Sequence, residues 1–467
     1  MISDIKIIKA SIKISSHANR VPLKFGHEIT TVSKYCRAYI SVQDLAGRRA
    51  IGIGETPIAV AWTWPSDLSF SEREGRMVEF CEMLCERWNS ISYTGHPMEI
   101  GYRFIQNELH ELLRKENELH LGKEEMPYLS ALVCNSLFDI ALYDAFGNLN
   151  KIGAFDCFTP QYMNHDLAWY YTIDIEDEKQ KEEYLRIFSG KYPCDYFVKN
   201  IPNTLPVWHL VGGADPIEES DLKGNEPNDG IPVLLRDWIK EDGLNCLKIK
   251  LRGNDEPWDY ERIVKVGLVA NKMGVEHLTA DFNCTVYDPE YVNRILDKLK
   301  IEYKSIWDKI LYIEQPFPYD MEKYPIDVHS LSQRKLLIMD ESAHDWHYVK
   351  LGINLGWTGV ALKTCKTITG AILMFCFAKE SNLAIMVQDL TNPGLAMIPH
   401  ASLARYLGTI MGIESNGPQY CPNASIAEAK IHPGLYKRRS GCIDLTTIGP
   451  YGFGYRLDEI NSFKSDR

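Results

Sequence analysis

The chain opens with segments in which apolar and polar residues alternate. The runs IKIIKASIKI (residues 5–14) and CRAYISVQDLAGRRAIGIGE (36–55) both have a period of two, and the second contains a Gly turn. This period is typical of half-buried strands. From about residue 70 to 150, apolar residues instead recur every three or four positions, as in REGRMVEFCEMLCERWN and LSALVCNSLFDIALYDAFG. The pattern predicts a strand-rich start followed by helices.

The pattern changes again from about residue 207, where short apolar runs alternate with helical stretches. The eight runs are VWHLVGG, CLKIKL, HLTADFN, ILYIEQP, LLIMDES, GVALKTC, LAIMVQD and TIMGIES. Continuous apolar strands separated by helices indicate a parallel sheet covered on both faces, and eight units favour a closed (β/α)₈ barrel over an open sheet. YYTIDIED (170–177) is an alternative first strand. VWHLVGG is preferred because one helix-length connection then leads to CLKIKL.

These patterns divide the chain into four parts. Residues 1–150 form an α+β unit, 151–206 are an insertion to which no role is assigned, 207–420 form the barrel, and 421–467 return in strand-and-turn form to the first unit. The expected fold is therefore α/β, with a TIM-like barrel and a second, split α+β domain.

Composition narrows the functional classes. Of the 467 residues, 45% are hydrophobic and 24% charged, which is ordinary for a globular protein and excludes disordered, collagen-like and coiled-coil classes. The net charge of −12 argues against a nucleic-acid surface. No apolar run approaches the ~18 residues of a membrane span, and the N-terminus resembles a strand instead of a signal peptide, so we expect a cytoplasmic protein.

Cysteine and glycine motifs give no evidence for a disulfide scaffold, a cysteine metal site or a nucleotide-binding site. Twelve cysteines are too dilute for a disulfide scaffold, and the helical pair Cys81 and Cys85 has no partner motif that would complete a metal site. No GxGxxG or GxxxxGK[ST] motif supports nucleotide binding.

Polar residues mark the ends of five consecutive barrel strands. They are Lys248 and Lys250, Asp281 and Asn283, Glu314, Asp340, and Lys363. Active sites of such barrels lie at the carboxyl ends of the strands. Any one of these motifs alone is more often a solvated edge or a helix cap, but all five occur in order at spacings of one βα unit.

The strand order predicts the geometry. Asp281, Glu314 and Asp340 end neighbouring strands and can converge, and three buried carboxylates need a cation between them. Oxygen ligands favour a hard ion, most plausibly Mg²⁺. Lys250 and Lys363 end strands that are four apart in a ring of eight, so they face each other across the barrel mouth.

This arrangement suits removal of a proton α to a carboxylate, with the metal stabilising the resulting enediolate and a neutral lysine as base. We expect desolvation, the cation and the neighbouring Lys248 to lower the pKa of the base. Racemisation or epimerisation, cycloisomerisation, and dehydration of an acid sugar or hydroxy acid all share this half-reaction. A Schiff-base aldolase and a non-catalytic metal-binding barrel are further alternatives.

These motifs resemble the enolase superfamily, and within it the muconate-lactonizing-enzyme subgroup of the mandelate racemase/muconate lactonizing enzyme family. LKIKL resembles the family's KxK strand; TADFN, YIEQP and MDES resemble its metal-ligand strands; and VALKTCK resembles its sixth-strand lysine. The resemblance implies Lys250 and Lys363 as acid/base residues, Lys248 as a tuning neighbour, and Asp281, Glu314 and Asp340 as Mg²⁺ ligands. It also implies that SLFDIALYDAFG and GIGETP belong to a capping domain that closes the barrel mouth.

The sequence departs from the family at the last two strands. Strand seven ends in Asp389 where the mandelate-racemase subgroup has a histidine, and His400 downstream is expected to be a packing or surface residue. Strand eight ends GIESN instead of with the DxD of dipeptide epimerases. Asp389, Asn392 and Glu414, together with Asn283, are therefore candidate substrate contacts, with ordinary loop hydrogen bonds as the alternative.

The resemblance also implies that capping-domain loops reach over the substrate. Arg20 or Lys24 would then bind a distal anion, with a plain surface charge as the alternative. We expect a small-molecule carboxylate substrate, no nucleic-acid or membrane partner, and a possible homo-oligomer.

Overall fold

A computed structural model of the chain describes residues 3–25 and 28–460. The N-terminal unit is built on an antiparallel sheet of order β3-β2-β1-β4. Its strands are β1 (Ile5–Phe25), β2 (Glu28–Asp44), β3 (Arg49–Pro57) and the short β4 (Thr94–Gly95). The predicted alternation is confirmed in β2, where Cys36, Ala38, Ile40 and Val42 are buried and the residues between them are half-buried.

Helices cover one face of this sheet. They are α1 (Val60–Thr63), α2 (Phe70–Ser90), α3 (Pro97–Phe104), α4 (His110–Leu119) and α5 (Tyr128–Asn150), with a π-helical turn (Ile105–Leu109) joining α3 to α4. Helix α5 packs so closely on β3 that a side chain at Gly52 or Gly54 would collide with the α5 backbone. Helix α5 is also long and apolar enough to cross a membrane, but its apolar stretch is entirely buried in the protein, as in a core helix.

The predicted barrel is confirmed. Eight parallel strands follow the order β11-β10-β9-β8-β7-β6-β5-β12. They are β5 (Thr204–Val211), β6 (Cys246–Lys250), β7 (His277–Asp281), β8 (Ile310–Glu314), β9 (Leu336–Met339), β10 (Gly359–Leu362), β11 (Ala384–Val387) and β12 (Ile413–Glu414). The ring is closed beside β12, where the Ile410 N–H donates to the Ile385 carbonyl of β11 at 2.9 Å.

The strands alternate with helices α8 (Leu235–Asp242), α9 (Glu256–Met273), α10 (Pro289–Glu302), α11 (Lys304–Lys309), α12 (His329–Ser332), α13 (Trp346–Leu355), α14 (Ile368–Glu380) and α15 (Met397–Leu407). In the barrel, 3₁₀ turns span Glu219–Asp221, Thr364–Lys366 and Gly394–Ala396. Inside the barrel, one residue from each of six strands forms a buried layer: Trp208, Cys246, Tyr312, Ile338, Ala361 and Met386. The next inward position on each strand, two residues later, lies at the mouth.

The segment before β5 covers the outside of the barrel. It contains 3₁₀ turns (Ala154–Cys157 and Pro193–Asp195) and the helices α6 (Leu167–Thr172) and α7 (Glu178–Phe188). YYTIDIED thus lies in α6 and the turns after it, and the preference for VWHLVGG as first strand is confirmed. The Tyr171 hydroxyl donates to the Leu373 carbonyl of α14 at 2.6 Å, and Tyr184 packs edge-on against Trp346 of α13.

The chain after the barrel is more helical than its strand-and-turn pattern predicts. It forms α16 (Gly417–Tyr420), a 3₁₀ turn (Pro422–Ser425), α17 (Ile426–Ile431), α18 (Pro433–Tyr436) and one strand, β13 (Cys442–Asp444), which pairs with β5. It then reaches the N-terminal unit, where the Phe453 N–H donates to Asp144 of α5 at 2.8 Å. Residues 461–467 of the predicted C-terminal part, and residues 1–2 and 26–27 of the predicted N-terminal unit, lie outside the described residues.

Candidate active site

Strand register brings the predicted carboxylates to one edge of the barrel. Lys250 is paired with Asp281, Asp281 with Glu314, and Glu314 with Ile338, two residues before Asp340. All three carboxylates are buried. Each is the next inward position beyond the buried interior of its strand, so the period of two aims it into the barrel mouth.

Lys248 lies in the middle of this group. Its Nζ is 2.6 Å from Glu314, 3.2 Å from Asp281 and 3.3 Å from Glu414 of β12. The buried ammonium group is therefore balanced by three carboxylates, and it ties β6 to strands on both of its sides.

Lys363, on the other side of the mouth, is paired with Asp340 at 3.1 Å and donates to the Asp389 carbonyl at 3.1 Å. Lys366, three residues further, is completely buried and donates to the Asp340 carbonyl. The indole of Trp62, from the N-terminal unit, lies over both ammonium groups at 4.9 and 5.8 Å.

Lys250 is more accessible than the other two predicted lysines. It contacts the Asp281 carboxylate and donates to Asn283 Oδ1 at 2.8 Å. Asn283 has a positive φ of 53° and its own N–H donates to Asp281, so it closes the turn after β7. The ring of Phe25 covers Lys250 from above at 5.1 Å.

The pKa values of the three carboxylates are shifted in different directions. Burial disfavours ionisation of Asp281, but Lys250 and Lys248 outweigh it and lower its pKa. Burial also opposes ionisation of Asp340, and Lys363 and Lys366 lower the pKa of that group. Glu314 is different, because burial and the charge of Asp281 together raise its pKa despite Lys248. Of these three carboxylates, Glu314 is therefore the one whose ionisation the site disfavours.

The lysine pKa values depart from the expectation. Burial by itself would lower the pKa of Lys363, but Asp340 reverses the effect and raises it; Glu314, Glu414 and Asp281 likewise raise the pKa of Lys248. The expected fall in the lysine pKa assumed a divalent cation bound among the carboxylates. Such a cation would cancel the attraction of the carboxylates for the ammonium groups.

The donor set fits a hard divalent cation. In the described residues 3–25 and 28–460, no three acidic, histidine or cysteine side chains stand together as metal ligands, because lysine ammonium groups lie between the carboxylates. Asp281, Glu314 and Asp340 nevertheless supply only oxygen donors from adjacent strands, which is the set that Mg²⁺ prefers. Burial, together with the charges of Asp281 and Asp340, raises the pKa of Glu314, so a cation bound there would favour its ionised form.

A cavity of about 110 Å³ lies above these groups. Its polar floor is formed by Lys248, Lys250, Asp340, Lys363, Asp389 and Glu414. Its roof comes from the N-terminal unit. The roof combines apolar residues (Leu23, Phe25, Ile58, Val60 and Trp62) with polar ones (His17, Lys24, Thr30, Ser33, Lys34 and Glu74). The Trp62 indole N–H donates to Glu341 at 2.8 Å and so joins the roof to the fifth barrel strand.

The candidate substrate contacts at strands seven and eight differ in their hydrogen-bond partners and in whether they line the cavity. The Asp389 carboxylate accepts hydrogen bonds from the Leu390, Asn392 and Asn416 N–H groups at 2.8, 2.9 and 2.5 Å. These are the ordinary loop hydrogen bonds given above as the alternative to a substrate contact. Asn392 is buried and does not line the cavity. Glu414 does line it, paired with Lys248 and the Asn416 amide. His400 is a buried packing residue whose Nε2 contacts the Glu414 carbonyl at 2.8 Å.

Arg20 is held away from this cavity. Its guanidinium donates twice to Asp229, at 2.8 and 2.9 Å, and to the Ile231 and Pro232 carbonyls at 2.6 and 3.2 Å. Its hydrogen-bonding capacity is thus used in fastening β1 to the loop after β5.

Several buried polar residues at the site escaped the sequence analysis. Gln388 donates to Glu314 at 2.6 Å, and its position two residues after Met386 was a readable signal. Gln315, with a φ of 30°, accepts from the Asp340 N–H at 2.7 Å and the Ser342 hydroxyl at 2.8 Å. Lys366 was visible in VALKTCK. Nothing in the sequence near Trp62 signals its contact with Glu341, 279 residues away.

Comparison with known proteins identifies the fold. No family model and no curated protein matches the sequence. Among solved structures, a mandelate racemase/muconate lactonizing protein from Herpetosiphon aurantiacus is similar over 96% of this chain and 98% of its own, with a TM-score of 0.59 and 17% identity.

Two further structures have the same fold. A dipeptide epimerase from Enterococcus faecalis, complexed with Mg and the dipeptide L-Leu-L-Tyr, matches with a TM-score of 0.62 and 14% identity over 96% of this chain and 99% of its own. A muconate lactonizing enzyme from Pseudomonas fluorescens, complexed with muconolactone, matches with a TM-score of 0.60 and 12% identity over 96% of both chains. The predicted resemblance is thus confirmed at the level of the fold.

Proposed function

We propose that this protein is a Mg²⁺-dependent enzyme that removes a proton α to the carboxylate of a small-molecule substrate, as a racemase or epimerase or as a cycloisomerase. The observation that carries the proposal is the placing of Lys250 and Lys363 on strands β6 and β10, four apart in the ring, where both line one cavity above three buried carboxylates. Solved structures of the same fold include a dipeptide epimerase complexed with Mg.

Asp281, Glu314 and Asp340 would hold the ion. When bound, Mg²⁺ supplies electrostatic stabilisation of the negative charge that develops on the substrate carboxylate as the α-proton leaves.

The chain itself supplies bases on both faces of the substrate. A substrate in the cavity lies between the Nζ atoms of Lys250 and Lys363, so one lysine can accept a proton and the other can return one to the opposite face. Lys248 does not need to exchange protons, since it is balanced among three carboxylates and holds β6 in place.

Aromatic rings of the roof cover the reacting lysines. Phe25 covers Lys250 and Trp62 covers Lys363, both from the N-terminal unit. The accepting lysine must be neutral, so the pairing of Lys363 with Asp340 has to weaken in the working state. The apolar rings over the two lysines favour the neutral amine for the same reason that burial disfavours the ammonium ion.

The half-reaction is tested by exchange of substrate α-protons with solvent deuterium. N-acyl amino acids, dipeptides, muconates and sugar acids are incubated in D₂O with MgCl₂ and followed by NMR. Loss of a general base typically costs about 10²–10⁴-fold, so we expect Lys250→Ala and Lys363→Ala each to abolish exchange from one face, and EDTA to abolish both.

A half-buried lysine outside the cavity provides the control. Lys309 donates to the Val275 carbonyl at 2.6 Å, and Lys309→Ala should leave exchange unchanged. Exchange that survives in the double variant Lys250→Ala/Lys363→Ala would refute the proposal. A borohydride-trapped adduct on either lysine would point to a Schiff-base enzyme instead.

A further inference from the structure

A cavity of about 330 Å³ lies on the outside of the barrel wall, beside the first strand, and we call it the flank cavity. Trp208 and Leu210 of β5 point into the barrel and its mouth. His209 and Val211, which alternate with them, therefore face outward, and both line the flank cavity. Among the described residues, the flank cavity and the catalytic cavity share only Lys24, so β5 separates the two.

The lining of the flank cavity is largely apolar. It comes from β1, β5, α8, α16 and the loop between β5 and α8. Its apolar residues include Val21, Pro22, Val211, Leu235 and Trp238. Cavities of about 300–1,000 Å³ with an apolar lining and a few polar groups are typical small-molecule sites.

One polar group of this lining, the imidazole of His209, has a fixed protonation pattern. Its Nε2 is 3.4 Å from the amide nitrogen of Gln419. The Gln419 amide is itself oriented by Leu210, since its nitrogen donates to the Leu210 carbonyl at 2.9 Å and its oxygen accepts the Leu210 N–H at 3.3 Å. Because an amide nitrogen only donates, Nε2 of His209 is an acceptor, and the proton of the neutral ring lies on Nδ1.

The Nδ1 donor of His209 has no acceptor in the part of the chain that the structure describes. The side chain is 2% exposed, and burial together with Arg438 lowers its pKa well below the ordinary value, so the ring stays neutral. A buried donor without a partner destabilises the folded protein. Since the ring lines the flank cavity, a molecule bound there can supply the missing acceptor.

The charged groups of the lining favour neither sign of ligand charge. Three cations are matched by three carboxylates: Arg20, Lys24 and Lys223 against Asp215, Asp221 and Glu226. Asp215 already accepts the Gly212 N–H at 2.8 Å and the Tyr420 hydroxyl at 3.0 Å. The flank cavity is therefore suited to an uncharged molecule.

We propose that the flank cavity binds a neutral, largely apolar small molecule that presents a hydrogen-bond acceptor, such as a ketone or amide carbonyl, to His209 Nδ1. The apolar body of such a molecule matches the lining, and its carbonyl matches the unpaired donor. This is a second site, distinct from the one that takes the substrate, and binding there does not rest on the proposed function.

Binding is tested on the whole protein with three probes of similar shape. Acetophenone carries a carbonyl acceptor, α-methylstyrene replaces that oxygen by a methylene group, and benzoate adds a negative charge. Calorimetry and ligand-observed NMR measure the affinity of each. We expect one acetophenone per chain, bound about fivefold or more tightly than α-methylstyrene because one hydrogen bond is gained, and benzoate bound more weakly than acetophenone.

Two variants locate the probe. His209→Phe keeps an aromatic ring and removes the donor, so acetophenone should lose its advantage over α-methylstyrene. Ala214 is exposed at the rim of the flank cavity, and Ala214→Trp should fill the cavity and raise the Kd of acetophenone by about tenfold or more.

Matched substitutions outside the flank cavity are the controls. His277 begins β7 and is partly exposed, and Ala46 is exposed in the turn between β2 and β3. His277→Phe and Ala46→Trp should change the Kd of acetophenone by less than about twofold. Absence of acetophenone binding would mean that His209 meets only water, and it would overturn the proposal. Equal affinities for acetophenone and α-methylstyrene, tighter binding of benzoate, or wild-type affinity in Ala214→Trp would also overturn it.

Dependence on the metal separates this site from the catalytic one. Asp281, Glu314 and Asp340 do not line the flank cavity, so the Kd of acetophenone should agree within about twofold in MgCl₂ and in EDTA. Binding that requires Mg²⁺, or that is lost in Lys363→Ala, would place the probe at the catalytic cavity and overturn the proposal.

Discussion

At the scale of single residues, the site is a balance between buried lysines and buried carboxylates. Four lysines (Lys248, Lys250, Lys363 and Lys366) face five carboxylates (Asp281, Glu314, Asp340, Glu341 and Glu414). Burial and the neighbouring charge of Asp340 raise the pKa of Glu341 to about 7. A cation bound among these groups would favour the ionised forms of Glu314 and Glu341, whose pKa values are raised.

Gln388 tests whether neutral side chains orient the proposed metal ligands. Its amide donates to Glu314 at 2.6 Å, so Gln388→Leu removes one hydrogen bond from the carboxylate without changing the charge of the site. Losing such a partner typically weakens metal binding by about 10–100-fold. We expect the Mg²⁺ Kd, measured by calorimetry, to rise by about tenfold or more.

The control for this prediction is Gln180→Leu. The Gln180 side-chain amide donates to the Tyr184 hydroxyl on the outer helix α7 at 3.1 Å, away from the barrel mouth. Equal Mg²⁺ affinities in wild type and Gln388→Leu, with both proteins folded, would show that Glu314 does not need this contact.

At the scale of secondary-structure elements, inward-facing positions of the strands decide which residues meet. Trp208, Cys246 and Met386 form the buried interior. Two residues later, the same faces present Leu210 and Lys248 to the cavity and Gln388 to Glu314. This step of two is readable in sequence, and it explains why the strand-end motifs could be located before the barrel was seen.

The segment between residues 151 and 206 has no comparable periodic signal. Its place on the barrel depends on aromatic contacts with α13 and α14, such as those of Tyr171, which is about 1% exposed. Tyr171→Ala removes a buried ring and a hydrogen bond, and truncation of a buried aromatic costs about 3–5 kcal/mol.

We therefore expect Tyr171→Ala to lower the urea midpoint clearly. Tyr287→Ala serves as the control because that side chain is 65% exposed, and its effect should be below about 0.5 kcal/mol. If the two variants unfold alike, the segment does not stabilise the barrel.

At the scale of the whole molecule, long-range contacts join the N-terminal unit to the barrel and to the C-terminal segment. Trp62 bonds to Glu341, Arg20 to Asp229, and Phe453 to Asp144. Each contact joins residues more than 200 positions apart in the chain, so no local sequence pattern could predict it.

Acid should destabilise the folded protein through His96. Its Nδ1 accepts the Met98 N–H at 3.1 Å while aromatic rings surround it, and burial lowers its pKa to about 3. The unfolded chain protonates this group near its ordinary value of about 6.5. Between those values the unfolded state binds more protons, so this histidine's contribution to stability falls as the pH drops below about 6.5.

The measurement compares unfolding free energies at pH 7.5 and 4.5. His96→Asn keeps an acceptor at the start of α3 and removes the titration, so its loss of stability should be smaller than that of wild type by about 2–3 kcal/mol. His329→Asn, at a half-exposed histidine, should lose as much as wild type. If His96→Asn loses as much unfolding free energy as wild type between pH 7.5 and 4.5, His96 is not the source of the acid sensitivity.

The sequence by itself determined the barrel, because continuous apolar strands alternating with helices have few ways to bury both faces of a parallel sheet. It also located the lysines and carboxylates, since strand ends and register follow from that topology. The roof of Phe25 and Trp62 and the holding of Arg20 by Asp229 were decided only by tertiary structure. Their partners lie far apart in the chain, and long-range packing, not local periodicity, brings them together.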